Sequence, residues 1–481
     1  MQNKEQLFKN IIAHSKEYGF VFPSSEIYDG LGAVYDYGQN GAELKNNIKT
    51  YWWKAMVQMN ENITGIDSAI FMHPDIWKAS GHVDGFNDPM IDNKDSKKRY
   101  RADNLLEDRI AKYEKDGKLE KASKLQQQME AFLKGDDLAG LKQLIEEHEI
   151  ACPVSGTRNW TEVRQFNLMF STRMGATAGE SDVVYLRPET AQGIFVNFLN
   201  VQKTGRMKIP FGIAQIGKAF RNEVIARQFI MRMREFEQME MQFFVRPGTE
   251  LEWYAHWKGA RLKWHLALGA EPGKYRYHDH AKLAHYANAA VDIEYEFPFG
   301  FKEVEGIHSR TDFDLRQHQE FSGKKMQYFD PELNKNYVPY VIETSIGLDR
   351  MFLTVIANAY TEEKLENDSR VVLKFHPALA PVKAAVLPLT KKDGLPDKAR
   401  AIMGNLKLDF NMQYDEKDSI GKRYRRQDAI GTPFCITVDY ETLENDTVTI
   451  RHRDSMQQER VPVERLYDII GGLVSWKTLL Q

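Results

Sequence analysis

Between Met231 and Val245 apolar and polar side chains alternate, and this alternation constrains the fold more than any other feature of the sequence. Successive residues of a β-strand point to opposite faces of a sheet, so a period of two predicts a strand. The odd positions predict a core face that two glutamates interrupt: Met231, Met233, Glu235, Glu237, Met239, Met241, Phe243 and Val245. The even positions predict the opposite face: Arg232, Arg234, Phe236, Gln238 and Glu240. The segment ending in Arg221 and Glu223 is the predicted hairpin partner, joined through residues 224 to 228.

The side chains of the even face fit a ligand with charge at both ends. Guanidinium groups bind phosphate, an aromatic ring stacks on a base, and Glu240 adds a carboxylate further along. At roughly 3.3 Å per residue, the strand from Phe236 to Glu240 spans about 13 Å, comparable with an adenylate carrying a small acyl group. The alternative from the pattern alone is a hairpin whose solvated face is rich in charge.

Composition sets broad limits on the function. The 481 residues suggest about three folding units, with 42% hydrophobic and 28% charged residues, as in an ordinary globular protein. A net charge of -3 does not indicate a nucleic-acid binder, so contact with a polyanion needs a local basic patch. Cys152 and Cys435 lie far apart in the sequence, which favours a reducing compartment and no structural zinc. With no signal peptide and no apolar run near 18 residues, a cytoplasmic protein is expected.

The hairpin resembles motif 2 of the class II aminoacyl-tRNA synthetases, and specifically that of the single-chain homodimeric glycyl-tRNA synthetases. The resemblance is carried by Phe-Arg-Asn-Glu at 220 to 223, an arginine-containing loop, and Arg-Glu-Phe-Glu-Gln-Met-Glu at 234 to 240. The loop from Val224 to Phe229 departs from the family, whose members usually have a proline before the arginine.

A helix predicted from Ala42 to Gln58 follows a run rich in glycine and tyrosine and resembles motif 1, which forms much of the dimer interface in the family. Its apolar positions recur every three or four residues: Leu44, Ile48, Trp52, Ala55, Met56 and Met59. Relatives usually have proline where Gln39 stands. The stripe alone is equally typical of a helix packed in its own core.

Residues 92 to 149 are rich in Lys, Glu, Asp and Gln, which predicts a helical insertion of two or three helices with breaks at Gly135-Asp-Asp and Ala139-Gly140. At its leading edge, the resemblance implies that Arg101 contacts the amino acid. Further on, residues Asp182 to Leu186 predict a strand, and a helix begins at Glu189 and Thr190, after Pro188. Glu189 suits the first turn of a helix, and the resemblance implies that it binds the glycine ammonium.

Residues 247 to 297 predict a second insertion of aromatic and histidine-rich helices. Its histidines His278, His280 and His285 lack a further ligand at firm spacing, so surface or core histidines are favoured over a metal site. The block from Lys302 to Leu315 resembles a family segment that places Glu303, Val304 and Arg310 near ATP, with Glu303 binding magnesium through oxygen.

Residues 338 to 356 resemble motif 3. A strand carries Glu343 and Ser345, and after Gly347 a helix is expected to present Arg350 in its first turn, where a helix N-terminus and a guanidinium together favour phosphate. Motifs 2 and 3 in this order are specific evidence for the family.

Beyond a linker at residues 375 to 381, strand and helix patterns alternate in a predicted α/β domain with a mixed or parallel sheet. It resembles the anticodon-binding domain of the glycyl, histidyl, prolyl and threonyl enzymes, although Ala429 and His452 stand where relatives often have glutamate. The candidate tRNA contacts surround Tyr424: Lys422, Arg423, Arg425 and Arg426. A solubilising helix end is an equally good interpretation.

The resemblance covers almost the whole chain and implies an α/β (α+β) homodimer with two domains. Residues 1–374 form a class II catalytic domain, an antiparallel sheet with flanking helices and insertions at about 92–150 and 247–297. Residues 375–481 form the anticodon-binding domain. The implied reaction joins glycine to tRNA(Gly) with ATP and magnesium, without a nucleophilic side chain.

The resemblance also implies the site residues. Arg221 contacts the α-phosphate, Phe236 stacks on adenine and Arg350 holds the γ-phosphate. The catalytic set is Arg221, Glu223 and Arg350. The glycine set is Arg101, Glu189, Phe236, Glu237, Gln238, Met239, Glu240, Glu343, Thr344, Ser345, Ile346 and Gly347. The ATP set is Arg221, Asn222, Glu223, Met231, Arg232, Met233, Arg234, Glu235, Phe236, Glu303, Val304, Arg310, Gly347, Leu348, Asp349 and Arg350.

Two alternative functions make different predictions. A non-catalytic paralogue acting as an RNA-binding or regulatory module predicts losses among Arg221, Glu223, Glu343 and Arg350, and all four are present. An ATP-dependent ligase of another small acid predicts no anticodon-type domain.

Overall fold

The computed structural model describes residues 4–175, 183–224, 228–280, 283, 287–365 and 369–480. Asp182, Arg227 and His285 lie outside the described residues. Two compact units are present: one comprises the described residues of Met1–Ala69, Glu189–Ala219 and Gln228–Gln481, and the other comprises those of Ile70–Pro188 and Phe220–Arg227.

The helices and strands of the described residues follow in chain order. The α-helices are α1 Lys4–Glu17, α2 Gln39–Trp53, α3 Pro74–Ala79, α4 His82–Gly85, α5 Ala102–Lys115, α6 Leu119–Lys134, α7 Leu138–Glu147, α8 Ala191–Val196, α9 Phe198–Thr204, α10 Glu250–Leu266, α11 Phe313–Ser322, α12 Leu348–Ala359, α13 Leu395–Leu406, α14 Ile420–Ile430, α15 Tyr440–Asn445, α16 Leu466–Leu473 and α17 Lys477–Leu480. The strands are β1 Val21–Pro23, β2 Tyr35–Tyr37, β3 Ile63–Gly65, β4 Asn87–Asn93, β5 Lys98–Arg101, β6 Arg164–Asn167, β7 Ser171–Arg173, β8 Val183–Tyr185, β9 Phe211–Phe220, β10 Glu235–Val245, β11 Tyr275–Asp279, β12 Ala289–Phe297, β13 Gly300–Thr311, β14 Tyr328–Asp330, β15 Lys335–Tyr337, β16 Tyr340–Gly347, β17 Tyr360–Lys364, β18 Ser369–Leu373, β19 Ala384–Pro388, β20 Met412–Tyr414, β21 Phe434–Val438, β22 Thr447–His452 and β23 Gln458–Pro462. Short 3-10 helices lie at Glu26–Tyr28, Phe229–Met231, Pro272–Lys274 and Val463–Arg465, and a π-helix at Lys54–Gln58.

The main sheet of the larger unit has the strand order β11-β12-β13-β16-β10-β9-β3. The pairs β11–β12, β12–β13, β13–β16 and β10–β16 are antiparallel, and β3 joins β9 in parallel at one edge. The expected antiparallel class II sheet is therefore confirmed, with one parallel edge strand.

The predicted motif 2 strand is shorter than its sequence pattern. β10 begins at Glu235, and the 3-10 helix at Phe229–Met231 precedes it. Met231 and Met233 are nevertheless buried in the core, as their odd positions predict. The core continues past the end of the strand and still needs apolar side chains there. The alternation in the sequence therefore starts before β10 does.

The motif 1 helix packs in the core of its own unit. α2 begins at Gln39 rather than at Ala42. Four side chains of its apolar stripe are almost fully buried within this chain: Leu44, Ile48, Trp52 and Met56. Ala55 is partly buried and Met59 is 61% exposed. The alternative of a helix packed in its own core therefore accounts for the four buried positions.

The smaller unit contains the predicted helical insertion. The three helices α5, α6 and α7 enclose an apolar core that includes Leu105, Leu106 and Ile110, and a sheet of order β5-β4-β6 accompanies them. The break at Gly135 is confirmed. The predicted break at Ala139-Gly140 is wrong, because the Asp137 side chain caps α7 by accepting from the backbone N–H of Gly140 at 2.8 Å.

The predicted helical character of residues 247 to 297 is wrong in its second half. α10 is a helix, whereas Tyr275–Asp279 and Ala289–Phe297 are strands β11 and β12 of the main sheet. Buried and less buried side chains alternate along β12, which is the period of a strand.

The C-terminal residues form the predicted α/β fold. The order of its sheet is β20-β19-β21-β22-β23. β19 pairs in parallel with β20 and β21, and the two outer pairs are antiparallel, so the sheet is mixed. Phe375 and Leu379 of the linker, and Leu479 of α17, belong to the same apolar cluster as α2 and β10.

Within the part of the chain that the structure describes, no helix combines the length and apolar character needed to cross a membrane. Both cysteines are buried and unpaired.

Candidate functional site

Three adjacent strands of the main sheet carry a polar face. Glu240 of β10 is opposite Ser345 of β16, and His308 of β13 is opposite Glu343. Because opposed residues of an antiparallel pair share a face, these side chains lie on the same side of the sheet. The face comprises Gln238, Glu240, Gln242, Glu343, Ser345, His308 and Arg310.

Gln242 joins two buried carboxylates of this face. Its Nε2 donates to Glu240 Oε1 at 2.8 Å and to Glu343 Oε2 at 2.7 Å. Thr190 Oγ1 donates to the other oxygen of Glu240. The backbone N–H of Thr190 donates to Gln238 Oε1 at 3.1 Å. Gln242 and Thr190 therefore hold the two carboxyl groups in fixed positions.

The N-terminus of α8 lies beside this network because glycine permits a close approach. A Cβ on Gly193 would lie 2.0 Å from Ser68 Oγ, so any side chain there would push the helix away. Thr190 is the N-cap of α8, which confirms the predicted start of the helix. Gln192 Nε2 donates to Glu189 Oε1 at 2.9 Å and fixes that carboxylate beside the helix start.

Arg310 lies among carboxylates. Its Nη1 donates to Glu343 Oε2 at 3.0 Å, and its Nε and Nη2 donate to Asp314 at 2.9 and 3.0 Å. The resemblance placed both Arg310 and Glu303 near ATP. Glu303 pairs with Arg350, whereas Arg310 pairs with Glu343. The two residues therefore contact different groups along β13.

The pKa values of the two central carboxyl groups, Glu240 and Glu343, are shifted in opposite directions. Burial and the nearby charge of Glu343 raise the pKa of Glu240 well above its ordinary value. Burial also raises the pKa of Glu343, but the charge of Arg310 and the hydrogen bond from His308 outweigh it and lower that pKa. One carboxyl group is therefore held ionised, and its neighbour retains a proton more readily.

Such a face can bind a small cation. A primary ammonium has three N–H donors, and Glu240, Glu343 and Ser345 place oxygen acceptors on one face of the sheet. Gln238 Nε2 approaches Ser345 Oγ at 3.4 Å, which orients the hydroxyl group.

Arg350 lies in the first turn of α12, as predicted. Gly347 is the N-cap of the helix, so backbone N–H groups and a guanidinium occur together. Arg350 donates from Nε to the carbonyl of Met231 at 3.2 Å, and its Nη1 lies 3.0 Å from Glu303 Oε2. This end of β16 can bind an anion, whereas the middle of the strand can bind a cation.

Two acidic residues of the predicted sets point to the opposite face. Lys45 Nζ of α2 lies 2.8 Å from both Glu237 Oε2 and Asp349 Oδ1, and Lys49 Nζ lies 2.7 Å from Glu237 Oε1. Asp349 also accepts from Tyr37. These carboxylates connect motifs 1, 2 and 3 and are neutralised by lysine.

Other predicted ligand contacts have side chains buried in the core or on the far face. They are Met231, Met233, Met239, Val304, Thr344, Ile346 and Leu348. Their side chains do not join the polar face, so only their backbone groups remain for ligand binding. The period of β10 and β16 explains this separation, because neighbours in sequence alternate between faces.

The start of β10 has less regular contacts. Arg232 is exposed, and Arg234 Nη1 donates to the carbonyl of Gly32 at 3.0 Å. Lys218 Nζ lies 2.7 Å from Glu235 Oε1. Phe236 is partly buried and lies on the same face as Gln238, two residues further along.

Arg221, Asn222 and Glu223 belong to the smaller unit. Arg221 Nε donates to the carbonyl of Pro188 at 3.1 Å, and its Cζ lies 5.5 Å from the Phe86 ring centroid. The backbone N–H of Asn222 donates to Leu168 O at 2.8 Å, and that of Glu223 to Arg221 O at 2.7 Å. This backbone holds the turn after β9.

Arg101 of the same unit is already paired with acidic side chains. It lies 2.8 Å from Asp88 Oδ1 through Nη1 and 2.6 Å from Asp103 Oδ2 through Nη2. If Arg101 contacts the amino acid, it does so while it is also paired with Asp88 and Asp103.

The candidate tRNA contacts of α14 differ in accessibility. Arg423 is buried, and it donates to the carbonyls of Pro388 and Leu389 at 2.6 and 3.2 Å, which corrects its assignment as a phosphate contact. Arg426 pairs with Asp415 at 2.7 Å. Lys422 is exposed and Arg425 is partly exposed. The helical period explains why Arg423 points inwards.

Sequence reasoning missed several members of the network. They are Thr190, Gln192, Gln242, His308, Asp314 and His318. A signal was available for Gln242, which continues the even series after Gln238 and Glu240. The bulge between Ser309 and Thr311 of β13 disturbs the period there and hides the relation of Arg310 to Glu343.

Three family models match the chain. Residues 88–124 and 118–168 match "Glycyl-tRNA synthetase insertion domain 1". Residues 176–359 match "tRNA synthetase class II core domain (G, H, P, S and T)", and residues 383–473 match "Anticodon binding domain".

Curated relatives match over almost the full length of the chain. The glycine–tRNA ligase of Chlorobaculum tepidum is 54% identical over 96% of this chain and 98% of its own length. Those of Macrococcus caseolyticus and Staphylococcus haemolyticus are 53% and 51% identical, over 96% and 97% of this chain and 97% and 99% of their own lengths.

Proposed function

We infer that this chain, which belongs to the glycine–tRNA ligase family of class II aminoacyl-tRNA synthetases, activates glycine with ATP and transfers it to tRNA(Gly). In the first step a glycine carboxylate oxygen bonds to the α-phosphorus of ATP, and the bond to pyrophosphate breaks. In the second step a ribose hydroxyl of the tRNA 3′ end attacks the glycyl carbonyl and loses its proton, and AMP leaves.

The buried carboxyl pair of Glu240 and Glu343 carries this proposal. A zwitterionic substrate presents an ammonium beside the carboxylate that reacts, and the polar face offers acceptors for that ammonium. We propose that Glu240, Ser345 and Glu189 contact it directly. Glu343, paired with Arg310, supplies fixed negative charge close by.

The proposed ATP end lies around Arg350. Charge-assisted donors there stabilise the negative charge that develops on phosphate oxygens in the transition state. Arg350 is assigned to the γ-phosphate, Arg221 to the α-phosphate and Phe236 to adenine. Asn222 and Glu223 are assigned to ATP as proposals of the same kind.

Magnesium accompanies ATP in this proposal. Glu303 fits a hard cation, since its carboxylate is about half exposed, with a side-chain accessibility of 47%, and carries oxygen donors beside Arg350. When bound, the ion would neutralise phosphate charge.

The tRNA and the second subunit are further parts of the proposal. Lys422 and Arg425 are the accessible basic residues of α14. The loop before α2 exposes apolar side chains, with Ile27 88%, Tyr28 81% and Leu31 59% exposed, which supports a homodimer contact there. Light scattering of the purified protein tests the dimer. A cytoplasmic location is proposed with the activity and is tested by cell fractionation.

ATP–pyrophosphate exchange with each amino acid separately tests the function. We expect exchange that depends on glycine. The alternative, a non-catalytic paralogue that binds RNA, predicts tRNA binding without exchange. Retention of Arg221, Glu223, Glu343 and Arg350 favours the catalytic function.

A further inference from the structure

Two histidines and an aspartate meet at the edge of the polar face. His280 follows β11, Asp292 lies on β12 and His308 lies on β13. One possible ligand atom from each lies within 4.8 Å of the others, and all three side chains are partly buried. His280 Nε2 lies 2.9 Å from Asp292 Oδ2, and the rings of His280 and His308 are 5.9 Å apart.

The orientation of His308 is fixed from one side. Its Nδ1 lies 3.0 Å from Glu343 Oε1. Its Nε2 is buried and has no hydrogen-bond partner among the described residues. A histidine whose one ring nitrogen donates to a carboxylate while the other remains available has the arrangement of a metal ligand with its outer partner.

We propose that His280, Asp292 and His308 form a binding site for one divalent transition-metal ion, with Zn²⁺ as the preferred occupant. Two imidazoles and one carboxylate are the donor set of a three-ligand zinc site that keeps its fourth position open. Ligands around a tetrahedral ion with bonds of about 2.1 Å are about 3.4 Å apart, so side-chain rotation closes the remaining gap.

The charges around the cluster favour a cation. Asp292 contributes one carboxylate to the cluster, and Glu343 lies behind His308, with its Oε1 3.0 Å from His308 Nδ1. Arg310, which pairs with Glu343 Oε2, is the opposing positive charge on the same strand as His308. A divalent ion would add positive charge beside two carboxylates that share a single guanidinium.

The proposed site connects to the glycine pocket through one hydrogen bond. An ion on Nε2 fixes the proton of His308 on Nδ1, where it donates to Glu343. His308 would thus act as a positioning residue for the ionised carboxylate beside Glu240. In the absence of an ion, His280 and Asp292 contact each other directly. Metal binding has to replace this contact.

Zinc binding to the chelator-treated full-length chain tests the proposal. Competition against a chromophoric chelator should show one equivalent of Zn²⁺. His280→Ala and Asp292→Asn should each weaken binding at least tenfold. His256→Ala, which removes an exposed histidine of α10 outside the cluster, should bind as the unchanged chain does. Circular dichroism checks that each variant is folded.

Two further measurements locate the ion. Cys152→Ser removes the buried thiol of the insertion and should leave binding unchanged. Cobalt substitution should give visible ligand-field absorption that Asp292→Asn alters. The proposal is overturned if no equivalent binds at micromolar Zn²⁺, or if binding is lost in Cys152→Ser and kept in His280→Ala.

Discussion

Arg310 and Glu343 form a buried ion pair, with Nη1 3.0 Å from Oε2. Without the arginine, Glu343 and Glu240 would share a buried face with no compensating guanidinium. Removing one partner of a buried pair costs about 3–5 kcal/mol. We expect Arg310→Met to lower the free energy of unfolding by about that amount, as measured by urea denaturation.

Arg316→Met is the matched control. Its arginine is 64% exposed and pairs with Asp312 at the surface, where such pairs contribute at most about 1 kcal/mol. Equal losses in the two variants would contradict the role assigned to the Arg310–Glu343 pair.

Glycine binding should depend on pH through Glu240. Its raised pKa means that Glu240 of the empty pocket retains a proton to higher pH than an ordinary carboxyl group does. An ammonium favours the ionised form, so glycine binding should release up to one proton. Affinity should therefore rise with pH between the lower pKa of Glu240 in the glycine complex and its raised pKa in the empty pocket, by up to about tenfold per pH unit.

Calorimetry of glycine binding in buffers with different ionisation enthalpies measures this proton release. Glu240→Gln removes the titrating group and should abolish the dependence while it weakens binding. A binding heat that is the same in every buffer for the unchanged chain would refute the linkage.

Arg221→Ala and Arg350→Ala should each slow pyrophosphate exchange far more than they lower stability. Loss of one charge-assisted contact in the transition state costs roughly 3 to 4 kcal/mol, or a rate factor of about 10² to 10³. Arg276→Ala, which removes an exposed arginine paired with Glu294, serves as the control. Near-normal exchange in either variant would show that the arginine is assigned wrongly.

Basic residues of α14 should separate into two classes. Lys422→Ala and Arg425→Ala should weaken tRNA charging and spare pyrophosphate exchange. Arg423→Ala should instead lower the thermal midpoint, because it leaves buried carbonyl groups without donors. Charging and exchange that fall together in Lys422→Ala would argue against its role in tRNA binding.

The sequence predicted the polar face well because a strand has a simple period. Alternation assigned Glu240 to the polar face of the motif 2 strand, the resemblance to motif 3 supplied Ser345, and the register of the two strands shows that they share a face. The period could not reveal that Lys45 neutralises Glu237 and Asp349, since that contact joins residues roughly 190 and 300 positions apart in the chain.

Other differences arise where tertiary packing overrides local pattern. The linker at Phe375 looks like a domain boundary, yet its ring lies 6.1 Å from that of Phe20 in the main core. Truncation at this linker would expose apolar surface of the core. Point variants therefore test the contributions of the two domains to exchange and to tRNA charging more cleanly than truncation does. Arg423 looked like a solvated charge, but the turn of α14 directs it towards backbone carbonyls.

The central claim is that the polar face selects glycine. Rejecting a smaller substrate is difficult for a binding pocket, because a missing methylene changes binding by only about 1 to 3 kcal/mol. Glycine is the smallest amino acid, so its pocket needs only to exclude larger side chains. Ser345→Gly should weaken glycine activation and admit some alanine, because it removes a wall beside the ammonium.

ATP–pyrophosphate exchange with glycine and with alanine tests this claim most directly. We expect the unchanged chain to exchange rapidly with glycine and at least tenfold more slowly with alanine, without an editing step. Exchange with alanine at a rate comparable to that with glycine would contradict both the pocket and the assigned substrate.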